Sequence, residues 1–341
     1  MSTNTATVIA SLDSLRIAHH IPGLAVVVLR DTSVVFSHAF GFADIARQIP
    51  VTTETPFNIA SVSKPISAVV ALRLVQDGLL QLDTPMQRFK GFADFCDGAR
   101  ERGGIFFRDY ACQGNTLTLR NVLSMSANGD PGTRFWYNPP SYSWASRPMA
   151  EVSGRAFSSL VDTLIFRPAH MQHSARIHRA LPLRADLSAT LALPYHWDSA
   201  GTFAQSEAPG PQGDGAAGGV ISTAMDLARF DVGLTNNTLI SAYVREQLFA
   251  GTKTPRGTVL PYGLGFFLGQ YKGHPLAWHT GLWEGQYSAL YLKTLAANQR
   301  DQFTFVLLAN SDGLQWEAQL DEAAIERSPF ARLLMDWFVM R

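Results

Sequence analysis

Strand-like segments lie at the two ends of this chain and hardly anywhere in its middle. LAVVVLRD (24–31) and SVVFSHAF (33–40) are rich in β-branched residues, and Asp31-Thr32 between them suits a tight hairpin. GLGFFLGQY (263–271), QYSALYLKT (286–294) and QFTFVLLAN (302–310) carry the same pattern late in the chain. Between them, over roughly 84–221, the chain is rich in Gly, Pro and Ser, with short helical patches at 119–125 and 158–166. This distribution suggests one sheet assembled from both ends of the chain. The expectation is an α+β fold in which 1–83 and 222–341 form a domain around a central antiparallel sheet. Residues 84–221 then form a mainly helical inserted domain, and the active site lies in the cleft between the two.

Helical periodicity marks 5–20 at the start, 66–80 with a stop near Gly78, 223–234, and an amphipathic stretch over 323–340 interrupted at Pro329. The stretch 195–219 reads as one long loop, and loops of that length are usually functional. Lys plus Arg number 28 and so do Asp plus Glu, so no global field favours nucleic acid or an anionic membrane. No apolar run approaches the roughly 20 residues of a membrane span. The N-terminus lacks a basic region followed by an apolar run, so as written the chain reads as cytoplasmic, or as periplasmic or secreted if a leader has been removed. Cys96 and Cys112 share one loop-rich stretch; they can form a local disulfide, but two unpaired thiols is the simpler reading. His19, His20, His170, His173, His178 and His196 show no metal-ligand spacing with carboxylates, and no cofactor is expected.

Chemistry concentrates at three places. Ser61-Val62-Ser63-Lys64 opens an apolar helix, and residues three apart share a helix face. A serine hydroxyl needs a base to take its proton. A lysine serves only if burial lowers its pKa, and the flanks NIASVS and PISAVV are largely apolar. Ser63 is the local rival nucleophile but points to a different face. Taken alone, such a tetrapeptide is more often a plain helix start. Tyr137, in Pro131-Gly132-Thr133-Arg134-Phe135-Trp136-Tyr137, can relay protons beside Ser61, although in isolation it reads as a core tyrosine clustered with Phe135 and Trp136. His279-Thr280-Gly281 falls between strand-like segments, as an edge strand lining a cleft would. The N–H after Gly281, that of Leu282, can complete an oxyanion hole with the N–H of Ser61, while His279 reads equally well as a satisfied buried histidine.

In that order the three elements resemble the signatures of the serine β-lactamase and penicillin-binding-protein superfamily. Phe57-Asn58-Ile59-Ala60, LTLRNVLSMS (117–126), Gly218-Gly219-Val220-Ile221-Ser222, Tyr262-Gly263-Leu264-Gly265 and Leu308-Ala309-Asn310 extend the resemblance over about residues 20 to 312. It points to the branch holding class C β-lactamases, D-alanyl-D-alanine carboxypeptidases, D-aminopeptidases and family VIII carboxylesterases, the last most closely. The resemblance implies a β-lactamase-like fold, with the sheet flanked by N- and C-terminal helices. It makes Ser61 the acylated nucleophile and Lys64 and Tyr137 the proton-transfer groups. The amides of Ser61 and Leu282 become the oxyanion hole, and His279, Thr280 and Gly281 line the cleft.

Departures from the family pattern narrow the expected substrate. Where lactamases read Tyr-x-Asn, this chain reads Tyr137-Asn138-Pro139, and Asn138 would point elsewhere. His279 replaces the lysine that helps hold a β-lactam carboxylate, and a mostly neutral imidazole is a weaker anion anchor. Aromatic residues crowd the expected cleft, Trp136 and Trp283 among them with Phe135, Tyr142, Trp144, Trp197, Trp278 and Tyr287. These features favour hydrolysis of a small-molecule carboxylic ester. D-amino-acid peptidase or amidase action, weak β-lactamase action, transacylation, and a degenerate sensor domain are the rivals. No G-x-S-x-G elbow is present, which sets aside the unrelated α/β-hydrolase esterases.

Overall fold

The computed structural model describes residues 3–112, 116–210, 212–295 and 301–340. Seven strands form an antiparallel sheet in the order Ile49–Pro50, Ser33–Asp44, Gly23–Arg30, Phe303–Ala309, Tyr287–Thr294, His274–Trp283, Phe267–Tyr271. The first long strand therefore pairs with the last, Leu24 opposite Ala309 through to Arg30 opposite Phe303. Leu24 to Leu29 are fully buried, so this strand is an unbroken apolar run and not an alternating one, as expected when both faces of a sheet are covered. The helices Thr3–Ala18 and Pro329–Phe338 pack on each other. Phe338 sets its ring 5.8–6.4 Å from those of Phe36, Phe303 and Phe305, which places the C-terminal helix on the sheet. The helix Ala224–Thr235 also packs on the sheet. Its buried Asp231 takes Lys293 Nζ at 2.8 Å and Thr304 Oγ1 at 3.0 Å, and accepts from Tyr291 Oη.

Ser63–Gln76 is the most deeply buried helix, with every residue from Ser63 to Leu72 out of solvent. It ends at Gly78, whose φ of +74° is the left-handed stop favoured by glycine. Short helices at Leu119–Leu123, Pro139–Trp144, Ser146–Ser153 and Phe157–Val161 build the middle of the chain.

Several expectations need correction. The apolar helix begins at Ser63, three residues earlier than 66, because Pro65 sits in its first turn where its missing N–H costs nothing. Pro329 starts the C-terminal helix instead of interrupting it, with Ser328 as N-cap accepting from Ala331. The strand expected over 263–271 starts at Phe267, because Gly265 turns the chain at φ +77°. The stretch 195–219 is not all loop. It opens with a hairpin of Tyr195–Trp197 and Phe203–Gln205, and Pro211 within it lies outside the described residues. Cys96 and Cys112 are bonded to each other, not free, with Cα atoms 5.6 Å apart. No described helix is long and apolar enough to cross a membrane.

Candidate active site

A tight turn carries Ser61 into the long apolar helix. Ala60, just before it, has φ +46°, a conformation that costs a residue with a Cβ about 1–2 kcal/mol. Two neighbours hold it there. Ala60 N–H donates to Asn58 Oδ1 at 3.0 Å, and Ala60 O accepts from Ser63 Oγ at 2.7 Å. Strain of this kind persists where surrounding contacts over-determine the backbone, and it clusters at working sites. Ser63, with Oγ also accepting from Val220 N–H, faces into the protein away from Ser61.

Lys64 Nζ lies 2.7 Å from Ser61 Oγ and donates to Ala217 O at 3.1 Å. The side chain is wholly buried, and burial pushes its pKa well below that of a free lysine. The rings of Tyr137 and Tyr142 stand 5.1 and 5.7 Å from Nζ, and Tyr142 Oη donates to Lys64 O. Burial raises the Tyr137 phenol, and Ser61 is near enough to oppose that rise. The phenol nevertheless makes no hydrogen bond to any of the described residues. A buried phenol without a partner is costly unless something visits it.

Gly281 explains how the strand His274–Trp283 reaches this turn. A Cβ there would lie 2.2 Å from Ile59 O, so only glycine lets the strand press against the turn ahead of Ser61. Its sheet neighbour Phe267–Tyr271 pairs no further than Trp278, which leaves 279–283 as a free edge. His279-Thr280-Gly281 thus lies on a strand that follows Phe267–Tyr271 and precedes Tyr287–Thr294, with the free edge expected of it.

A cavity of about 520 Å³ opens at Ser61. Lys64, Tyr137, Leu282 and Trp283 line it, and Trp283 Nε1 donates to Asn58 Oδ1. Phe106, Pro139 and Pro140 add apolar wall, and a strap through Gly213, Gly215, Ala217 and Gly218 closes the side. Lys64 is the only Lys, Arg, His, Asp or Glu in that wall among the described residues.

Trp136, His279, Thr280 and Gly281 do not line the cavity. Trp136 lies beneath the Arg134 guanidinium, 5.3 Å away. His279 is fully buried and its two nitrogens are committed: Nδ1–H donates to Thr280 O at 2.6 Å, so Nε2 accepts from Tyr262 Oη at 2.8 Å. Burial first, and Lys64 second, hold its pKa well below the usual imidazole value. The expected crowd of aromatics also thins out. Of the eight named from the sequence, Trp283 alone faces the cavity, while Trp197 stacks on His20 at 4.1 Å. Asn138 does point elsewhere: it caps Pro139–Trp144 and donates to Phe106 O and Asn128 Oδ1. Sequence reasoning missed Phe106, Asn58 and the glycine strap. Only the run Gly213-Asp214-Gly215 with Gly218-Gly219 signalled close backbone approach.

Glu54, His173 and Asp226 converge closely enough to hold a cation, a grouping their sequence spacing hides. Arg229 already donates to both carboxylates, at 3.0 and 2.5 Å, and so serves there as the counter-charge.

The Beta-lactamase family model matches residues 8–328. Penicillin-binding protein 4* of Bacillus subtilis is 25% identical over 308 residues, covering 82% of this chain and 66% of that protein. The chain therefore spans just under two thirds of that relative's length. The octameric penicillin-binding protein homologue from Pyrococcus abyssi superposes with a TM-score of 0.75 at 19% identity, over 97% of this chain and 80% of the other. The D-amino acid amidase from Ochrobactrum anthropi SV3 gives 0.72 at 20% identity, over 97% and 98%. Identities this low establish a shared fold.

Proposed function

Because this chain belongs to the Beta-lactamase family, a family of serine hydrolases, we propose that it hydrolyses small carboxylic esters through an acyl-enzyme on Ser61. The observation that carries the ester reading is the cavity wall, which among the described residues holds no Asp, Glu, Arg or His and whose one lysine, Lys64, is buried with its pKa well lowered. A β-lactam or a peptide acid brings a carboxylate, and an amino-acid amide brings an ammonium. Here the first finds no free cation and the second no carboxylate among the described lining residues. His279, where the family has its lysine, is neutral and has both nitrogens engaged. An uncharged ester needs neither anchor.

The cleft in this reading lies between 1–83 with 222–341, which bring Ser61, Lys64, Leu282 and Trp283, and 84–221, which brings Phe106, Tyr137 and the strap. Neutral Lys64 takes the Ser61 proton as Oγ attacks the carbonyl carbon. The Tyr137 phenol, with no other partner, is free to pass a proton to the departing alcohol. The amides of Ser61 and Leu282 hold the oxyanion, each worth about 3 kcal/mol in enzymes of this kind. Water then attacks the acyl-enzyme with the same two groups moving protons.

The test is hydrolysis of p-nitrophenyl butyrate by the protein and by Ser61→Ala, with intact-mass analysis, beside a D-amino-acid amide and a cephalosporin. Expected are fast ester turnover, slow turnover of the other two, and loss of both turnover and acyl adduct in the variant. A faster rate on the amide or the cephalosporin would refute the ester reading. Equal turnover in Ser61→Ala would refute the serine itself.

A further inference from the structure

The strap that walls the cavity has no regular secondary structure over 206–210 and 212–219, yet it supplies the carbonyl against which Lys64 rests. Two bonds stitch it to the catalytic helix, Lys64 Nζ to Ala217 O and Ser67 Oγ to Ala216 O at 2.6 Å. On its other side Ala216 N–H donates to Ser143 O and Arg179 N–H to Gln212 O, both at 2.9 Å, and one side chain, Arg176, reaches several of its groups at once. Arg176 belongs to the short strand Ala175–Arg176, paired with Val220–Ser222 at the end of the strap. It is 96% buried, being 4% exposed. Its guanidinium donates through Nη2 to Gly215 O at 2.5 Å, with Gly213 O at 3.5 Å, and through Nη1 to Ile177 O at 3.0 Å. Nε stands 3.6 Å from Asp214 Oδ1, and the Phe157 ring lies beneath at 5.8 Å. Asp214 is fixed in turn by Ser158 N–H at 3.0 Å, with His178 Nε2 at 4.0 Å.

The glycines fit this arrangement. A Cβ on Gly219, at φ +86°, would lie 1.6 Å from Arg176 Nη1, and one on Gly215 would lie 1.9 Å from Ser143 Oγ. The strap is thus threaded between Arg176 and the Pro139–Trp144 helix, with no room for a side chain at Gly215 or Gly219. Burying a guanidinium is expensive, and its pKa is lowered to about 10 by desolvation, opposed by Asp214. An apolar side chain would fill the space at less cost, but it could not hold two carbonyls of an irregular segment at once.

We propose that Arg176 is a positioning residue for catalysis: by clamping Gly213-Asp214-Gly215 it sets where the Ala217 carbonyl meets the Lys64 amine. The clamp acts through Lys64 and so rests on the serine reading above. A carbonyl beside the amine stabilises its protonated form, so releasing the strap lowers the Lys64 pKa further. Ser61, Tyr137, Tyr142 and His279 are the other groups that face Lys64, and none of them contacts Arg176.

The experiment follows the rate of Ser61 modification by a fluorophosphonate probe across pH 5–9, read by intact mass. It uses the protein, Arg176→Lys, Arg176→Met, and Arg176→Met with Asp214→Asn, the last removing both charges so that the fold is kept. Labelling is expected to slow by about tenfold in all three, the effect of losing one hydrogen bond to a charged group, with the acid limb moved to lower pH. Arg176→Lys keeps the charge but not the fork, so it does not rescue. A folded variant with an unmoved acid limb, or with slowing matched by its unfolded fraction, would overturn the clamp. Failure of the unaltered protein to label at Ser61 would overturn the serine reading and the clamp with it.

Discussion

Replacing Gly281 with alanine tests the contact on which the site is built. The new Cβ would lie 2.2 Å from Ile59 O and 3.1 Å from Ala289 Cβ. An ordinary carbon–oxygen contact is about 3.3 Å, so the turn or the strand must retreat by about 1 Å. Overpacking of this size costs about 1–3 kcal/mol. At roughly 2–4 °C per kcal/mol, melting falls by several degrees. The turn that must give way carries Ser61 two residues on, and a misplacement of about 1 Å at a reacting centre costs about 100-fold. The expected result is a folded protein whose kcat/KM on p-nitrophenyl butyrate is about 100-fold down. Gly78→Ala is the control. It strains a φ of +74° with nothing within 4 Å of the new Cβ, so it lowers melting without touching activity. A Gly281→Ala protein with kcat/KM within about twofold of the original would refute the idea that strand and turn must touch for the serine to work.

Lys64→Met should abolish turnover by about 10²–10⁴-fold while raising stability at pH 7 by about 1–2 kcal/mol. Below the ordinary lysine pKa the unfolded side chain gains a proton that buried Lys64 refuses, so the unaltered protein loses stability as pH falls from that value toward the lower folded one. Denaturant melts from pH 10 to pH 7 should show that loss in the unaltered protein and not in Lys64→Met. Ser63→Ala should keep activity within a fewfold but lose about 1–3 kcal/mol, because the hydroxyl ties Ala60 O to Val220 N–H in a buried place; chemical denaturation beside an ester assay reads both. Opening the Cys96–Cys112 bridge, which spans 16 residues, should cost about 3 kcal/mol. It should also raise KM, because the loop it closes carries Phe106 into the cavity wall; melts and kinetics with and without reductant measure it.

How much of this was legible in the sequence depended on the range of the interaction. Ser61 and Lys64 are three apart on a helix, so their meeting follows from periodicity, and Lys64's burial follows from its apolar flanks. The central strands were legible as β-branched runs. The environment of His279 was not, because its partner Tyr262 lies 17 residues away across a turn and nothing local marks the pair. The strained Ala60 was equally hidden, since it depends on Asn58 and Ser63 bonding back to it. The aromatic residues misled because composition shows only that rings are near in sequence. Packing sent Tyr142, Trp278 and Tyr287 into the core. Arg176 and Asp214 were invisible for the same reason as Glu54 and Asp226: each pair is joined only by tertiary structure.

The strand order has a consequence for how such a molecule comes into being. Gly23–Arg30 waits for a partner, Phe303–Ala309, that leaves the ribosome long after it. Until then the early hairpin has one side unpaired, and the turn bearing Ser61 has no strand to lean on. Contacts this distant in sequence form late and slowly. A nascent chain, or one cut before Phe303, therefore carries Ser61 and Lys64 but not the assembled cavity, which forms in a single late step rather than growing with chain length.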